Sequence, residues 1–162
     1  MSYRFGFGYD IHRFAPDRKL VLGGVHLPSD RGLEGHSDAD VLLHAICDAL
    51  LGAAALGDIG MHYPNTDPRF KDISSLKLLS LVKDLVIQSD YQVVNIDSTV
   101  VLEEPKLANF IPAMRKNISD CLHLTPSQVS VKATTNETLG PIGKGEGCAA
   151  FAVASLRSLN QD

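Results

Sequence analysis

No basic run stands out anywhere in the 162 residues, and 15 Lys+Arg against 19 Asp+Glu leave a formal charge of -4. A polyanion finds little to grip, so nucleic acid and anionic membranes are poor partners. Cysteine is scarce: Cys47, Cys121 and Cys148 lie far apart with no C-x-x-C pair. That removes a disulfide framework and a cysteine-based zinc knuckle, and the three read as buried thiols in a reducing compartment. No long apolar run is present, because Val41 to Leu56 is interrupted by His44, Asp48 and Gly52, and MSYRFGFGYD has no apolar leader core. A cytoplasmic protein without membrane contact is expected. Repeats, low-complexity tracts and linkers are missing too.

The remainder is ordinary for one globular domain over residues 1–162, with 44% hydrophobic and 21% charged residues. A chain of this size buries roughly 70% of its unfolded surface, which is enough for a core without staples. Its charge fraction is too low for a disordered polymer.

Hydrophobic periodicity sets out the elements. From Tyr3 to Phe14, Phe5, Phe7, Tyr9 and Ile11 alternate with Arg4, Gly6, Gly8, Asp10 and His12, which predicts a strand with one buried face. Leu20 to Leu27 is a second short strand, followed by turn chemistry at Ser29 to Gly32. Ser37 is positioned to cap a helix, with Asp40 three residues on and apolar residues at Val41, Leu42, Ala45, Ile46, Ala49 and Leu50. That helix should end between Gly52 and Gly57, and Gly57 to Phe70 has loop composition at a length that suits function. Helices at Ser75 to Gln88 and Phe110 to Leu122, strands at Val93 to Leu102, Val129 to Thr134 and Cys148 to Leu156, and a capped turn at Thr125 to Gln128 complete the order. A Gly-rich loop fills Asn136 to Gly147. The sum is a single α/β (α+β) domain, a mixed sheet packed against helices.

Asp10-x-His12 on a strand places a carboxylate and an imidazole on one face, about 6 to 7 Å apart at Cα. His44 lies on the helix row Asp40, His44, Asp48, because residues four apart share a face. If that row meets Asp10 and His12, two imidazoles and a carboxylate suit Zn²⁺ and leave one tetrahedral position open; hydrogen-bonded interior histidines are the alternative. His36 and Ser37 sit at the expected helix N-terminus, where unpaired N–H groups attract phosphate, or where an ordinary cap resides. Lys132 to Glu137 ends a strand with hydroxyls, an amide and a carboxylate, suited to an oxyanion and Mg²⁺ or to a plain turn. The loop from Gly140 to Gly147 fits neither a Walker A nor a dinucleotide fingerprint. His26, His62 and His123 show no partner pattern, and the cysteines show no nucleophile signature.

Five segments, GYDIH (Gly8 to His12), EGHSDADVLLH (Glu34 to His44), DALLGAAALGDIG (Asp48 to Gly60), YPNTD (Tyr63 to Asp67) and VKATTNE (Val131 to Glu137), occur in order. Over nearly the whole chain the sequence resembles the 2-C-methyl-D-erythritol 2,4-cyclodiphosphate synthase family. The resemblance implies conversion of 4-diphosphocytidyl-2-C-methyl-D-erythritol 2-phosphate to the cyclic diphosphate with release of CMP, in the non-mevalonate isoprenoid route. It implies a homotrimer with active sites between subunits. By the same resemblance, Asp10, His12 and His44 hold a Zn²⁺-type ion, and Glu137 helps place Mg²⁺ or Mn²⁺ on the diphosphate. His36 and Thr135 match transition-state stabilisers. Ser37, Asp58, Ile59 and Gly60, with Tyr63, Asn65 and Asp67, match the methylerythritol phosphate side. Leu102 to Ala108, including Lys106 and Leu107, with Ala133 and Thr134, match the cytidine side.

Two positions depart from the family pattern. The loop that commonly reads F-P-D-T-D has Tyr63 and Asn65 here, replacing a carboxylate contact to the sugar by an amide. Lys144 stands where the family often has an arginine beside a central apolar cavity able to take isoprenoid diphosphates. Lysine cannot make the same bidentate phosphate contact, which argues against isoprenoid diphosphate binding there. Two rival readings share the candidate residues: a metal-dependent phosphohydrolase, and a non-catalytic trimeric module that holds a nucleotide or isoprenoid diphosphate.

Overall fold

The computed structural model describes residues 2–160. Strand β1 (Tyr3–Pro16) alternates as its sequence requires, but the face turned inward is the one that carries Gly6, Gly8, Asp10 and His12. The apolar set Phe5, Phe7, Tyr9 and Ile11 remains between 45% and 72% exposed. The cause is a close approach by helix α1 (Val41–Ala53). A Cβ on Gly6 would lie 1.9 Å from the Ala49 carbonyl oxygen, and one on Gly8 1.9 Å from that of Ala45. Helix backbone occupies the space that side chains at these two positions would fill.

α1 is the centre of the core. Leu42, Leu43, Ile46, Leu50 and Leu51 have no exposure, so both its flanks are covered. It lies on β1 and on strand β7 (Gly147–Ser158), whose inward residues Ala150, Ala152 and Ala154 are small and buried. β7 pairs antiparallel with β1 on one side and with β5 (Tyr91–Val101) on the other. β6 (Val129–Thr134) runs parallel to β5, and β4 (Arg31–Leu33) pairs with the end of β1. The result is a mixed five-stranded sheet in the order β4-β1-β7-β5-β6. β4 starts within the predicted Ser29–Gly32 turn, because pairing with Phe14 to Pro16 extends the segment.

One layer of helices covers one sheet face. α3 (Ser75–Gln88) buries Leu78, Leu79, Val82 and Val86, with Leu85 at the margin, and α4 (Ile111–Leu122) packs beside it and over β6. The long loops hold single helical turns that sequence composition hides: α2 (Ile59–His62), a 3-10 turn at Pro68–Phe70 and α5 (Gly140–Gly143). Cys47 and Cys148 are buried, whereas Cys121 is half-buried with Sγ 3.4 Å from the Leu76 carbonyl oxygen. Among the described residues no helix is long and apolar enough to cross a membrane.

The predicted strand Leu20 to Leu27 is a hairpin, β2 (Leu20–Leu22) and β3 (Val25–Leu27). Gly23 and Gly24 have φ of 57° and 70°, which a two-residue hairpin loop demands and which glycine adopts without strain. Their N–H groups donate to Asp40 Oδ1 at 3.0 Å and Oδ2 at 2.7 Å, and Leu43 N–H donates to Oδ1 at 3.1 Å. Asp40 therefore caps α1 in place of the predicted Ser37, since its carboxylate meets three backbone donors at once. The predicted start of the helix is thereby corrected by three residues, and His36 and Ser37 lie in the loop before the cap.

Asp40 is fully buried, and burial pushes its carboxyl from 3.8 up to about 6 against the pull of those three N–H groups. Between these values the folded chain keeps a proton that the unfolded chain releases. The contribution is full below 3.8 and lost as pH rises through about 6. It amounts to about 3 kcal/mol at 1.36 kcal/mol per unit. Asp40→Asn keeps the shape without the titration, so its stability relative to wild type should improve by up to that amount from about pH 4 to 7. Urea melts across the range check this; a pH-independent difference refutes it.

Candidate metal centre and two clefts

The strand spacing brings Asp10 and His12 to the inner face of β1, and the end of the first turn of α1 brings His44 to meet them. Asp10 Oδ2 lies 2.9 Å from His12 Nε2 and 2.9 Å from His44 Nδ1, and the two nitrogens are 3.2 Å apart. Asp40 and Asp48, the other members of the helix row, point elsewhere: Asp40 to the hairpin, Asp48 to the Ile59 N–H at 2.8 Å. Burial alone would raise the Asp10 carboxyl, but hydrogen bonds and charge from His12 and His44 outweigh it and hold the carboxyl far below its ordinary range. Burial lowers His12, and the bond to Asp10 more than restores it, so its imidazole is raised.

One carboxylate oxygen and two imidazole nitrogens converging on one point can hold a cation, or a pair of ring N–H hydrogen bonds to the carboxylate. Neutral imidazoles could not all share that point without a proton or a metal between them. Ligands of a tetrahedral zinc ion at about 2.0–2.2 Å sit roughly 3.3–3.6 Å apart. The triangle found here opens to that size with shifts of a few tenths of an ångström. Asp10, His12 and His44 are also the group of candidate ligands that the geometry assembles among the described residues. The donor set fits a divalent cation.

Beside the cluster is a cleft of about 390 Å³ that gathers His12, His36, Ser37, His44, Ile59, Gly60, Tyr63 and Asn65 from the predicted set. Gly35, Pro64, Phe70, Ile73 and Leu78 complete its wall. Arg18, which sequence reasoning missed, holds this wall by donating to the Gly35 and Ser37 carbonyls at 3.1 and 2.8 Å. Asp58 and Asp67 do not line it. Asp58 caps α2 through the Met61 N–H, and Asp67 is held by Arg69, whose bonds lower its carboxyl.

A second cleft of about 210 Å³ gathers Leu102, Pro105, Lys106, Leu107, Ala108, Ala133, Thr134 and Thr135, together with Ile111, which the sequence did not single out. The two clefts share no lining residue, so His36 and Thr135 stand apart within one chain. Glu137 is exposed and outside both linings, with Oε1 accepting from Thr135 Oγ1 at 2.9 Å. Lys144 is exposed at the end of α5 and also lines neither cleft.

Fold and site define a class: a mixed-sheet α/β protein in which a central helix delivers one histidine to a carboxylate and a second histidine on the strand beneath it. The chain belongs to one family within that class, the YgbB family, whose model matches residues 3–157. It is 62% identical over 156 residues to the 2-C-methyl-D-erythritol 2,4-cyclodiphosphate synthase of Pelodictyon phaeoclathratiforme, covering 96% of this chain and 99% of that one. The enzyme of the same name from Syntrophobacter fumaroxidans is 61% identical, covering 96% and 98%. Among solved structures, Plasmodium falciparum IspF in complex with CDP superposes with a TM-score of 0.86 at 34% identity and 98% coverage of both chains. The bifunctional IspDF of Campylobacter jejuni reaches 0.93 at 44% identity; the match covers 97% of this chain and 42% of that longer one.

Proposed function

We propose that this chain is a 2-C-methyl-D-erythritol 2,4-cyclodiphosphate synthase, a phosphorus–oxygen lyase of the cytoplasm acting on 4-diphosphocytidyl-2-C-methyl-D-erythritol 2-phosphate. The observation that carries the reading is the convergence of Asp10, His12 and His44 at the mouth of a cleft, in a chain 62% identical to a relative of that name. A divalent cation at that cluster, Zn²⁺ by its donor set, with Mg²⁺ or Mn²⁺ on the diphosphate near Glu137, would supply charge neutralisation to the reacting phosphates.

The chemistry asks little else of the protein. A phosphate monoester is largely dianionic at neutral pH, its second pKa being near 6, so it attacks without a general base. An oxygen of the 2-phosphate forms a bond to the β-phosphorus, and the bond from that phosphorus to the oxygen bridging it to the α-phosphate breaks, with CMP leaving. What the residues must do is fold a flexible substrate back on itself, and such positioning is worth about 7 kcal/mol or more. His36, Ser37, Ile59, Gly60, Tyr63 and Asn65 would hold the methylerythritol phosphate end in the larger cleft. Leu102, Leu107, Ala108, Ala133 and Thr134 would floor the cytidine in the smaller one, with Lys106 at its rim. Thr135 would face the diphosphate.

The separation of the two clefts supports a homotrimer in which one copy's metal cleft meets its neighbour's cytidine cleft. The outer sheet face supports it as well: Phe5, Phe7, Tyr9 and Ile11 lie exposed beside Phe151 and Val153, with Tyr9 and Phe151 ring centroids 5.0 Å apart. Apolar area of this kind commonly marks a protein interface. Phosphorus NMR of metal-supplied protein with the cytidyl substrate tests the function. Equal amounts of CMP and cyclic diphosphate are expected, whereas CMP with linear phosphates alone would establish a hydrolase.

A further inference from the structure

Behind the cluster, His44 uses its second ring nitrogen. Nε2 lies 3.0 Å from Ser75 Oγ and 3.1 Å from Ser37 Oγ. Ser75 is the first residue of α3 and has no exposure. Its hydroxyl donates to Asp38 Oδ1, and its N–H donates to Asp38 Oδ2 at 2.9 Å. Asp38 is itself tied down, its Oδ1 accepting from the Asp40 N–H at 3.3 Å and its own N–H donating to the Ile73 carbonyl at 3.1 Å.

Proton counting then decides the state of His44. A serine hydroxyl has a single proton, and an ionised carboxylate is acceptor only. With its proton on Asp38, Ser75 Oγ offers His44 only lone pairs. Nε2 must carry the hydrogen and donate it, which leaves the Nδ1 lone pair aimed at the point where Asp10 and His12 converge. Ser37 Oγ accepts from the Ala39 N–H at 3.1 Å and keeps a lone pair for Nε2; were its hydroxyl to donate to Nε2 instead, the 3.0 Å contact with Ser75 Oγ would set two lone pairs against each other.

We propose that Asp38 and Ser75 form a positioning relay that fixes which nitrogen His44 presents to the metal and makes that nitrogen a stronger donor. The relay rests on the metal-site reading given above. Outer partners of this kind orient a ligating ring and raise its basicity, and their loss weakens metal binding by roughly 10–100-fold. They also link two elements: the strand-to-helix loop before α1 supplies Asp38, and α3 supplies Ser75. Packing of α3 is thereby coupled to the geometry of the metal ligand on α1.

Two variants test this. Ser75→Ala removes the acceptor and leaves the Ser75 N–H bonded to Asp38. Asp38→Asn keeps the shape but can turn the Ser75 hydroxyl round, so that it donates to Nε2 and drives the proton of His44 onto Nδ1. Zn²⁺ affinity would be measured by competition with a chromophoric chelator, together with the visible spectrum of Co²⁺-loaded protein and the melting midpoint of the metal-free form. The expected result is about 10–100-fold weaker Zn²⁺ binding in each folded variant, with an altered Co²⁺ spectrum. Wild-type affinity and spectrum in both variants would overturn the relay, even where the metal-free midpoint falls, since that pattern marks a merely structural serine. If wild-type protein binds neither ion, the metal-site reading falls and the relay with it.

Discussion

His44→Ala is expected to reduce turnover of the cytidyl substrate at least about a hundredfold to a thousandfold, the scale of losing one group that stabilises developing charge. The truncation leaves Asp10 facing His12 alone and breaks the link from the cluster to Ser37 and Ser75. Zinc retained after dialysis, read by elemental analysis, should fall with the activity while the far-UV CD spectrum stays that of wild type. The helix itself is held by Leu42, Leu43, Ile46, Leu50 and Leu51, none of which the change touches. The experiment also separates the rival readings. A binding module would keep its nucleotide affinity with no turnover to lose, and a hydrolase would lose linear products in place of cyclic ones. Turnover within about tenfold of wild type would remove His44 from the chemistry.

The candidate metal ligands were legible in part from periodicity: Asp10 and His12 share a face by the two-residue strand repeat and His44 lies on the row Asp40, His44, Asp48, while the family resemblance is what joined the three. Which face of β1 would be buried was not legible from hydrophobicity. Phe5 and Phe7 look like core, yet the fold needed backbone contact between β1 and α1, and only Gly6 and Gly8 permit it. The helix start was missed by three residues for a related reason. Ser37 is a good local cap, but Asp40 collects two distant donors from the β2–β3 turn, and nothing local to Asp40 announces them. Arg18 and Ser75 escaped notice because their roles are long-range, reached across 17 to 31 residues. The signal available in sequence was weak: a paired Ser74-Ser75 at a helix start, and an Asp38 left over from the cap.

The same glycines set the other large effect. Gly8→Ala should destabilise the protein by about 3 kcal/mol or more, at the upper end of overpacking costs. The new methyl would meet backbone, the Ala45 carbonyl oxygen at 1.9 Å and the Ala49 nitrogen at 2.8 Å, and backbone of a fully packed helix cannot swing aside as a side-chain tip can. For a chain of this size each kcal/mol moves the melting midpoint by roughly 2–4 °C, so a fall of about 10 °C is expected. Relief can come only by α1 lifting from β1, and Asp10 lies two residues from Gly8. His44 would then be drawn away from Asp10 and His12, and Zn²⁺ affinity should fall together with stability. Gly52→Ala provides the contrast. It is an exposed glycine of the same helix, whose Cβ would find its nearest neighbour, the Phe7 carbonyl oxygen, at 4.0 Å. There the gain in helix propensity of about 0.5–1 kcal/mol has nothing opposing it, and the midpoint should rise by about 2 °C. Opposite signs from the same substitution on facing elements would identify the β1–α1 approach as the contact that holds Asp10, His12 and His44 together. A Gly8→Ala protein that melts within about 2 °C of wild type would show that the two backbones have room to separate.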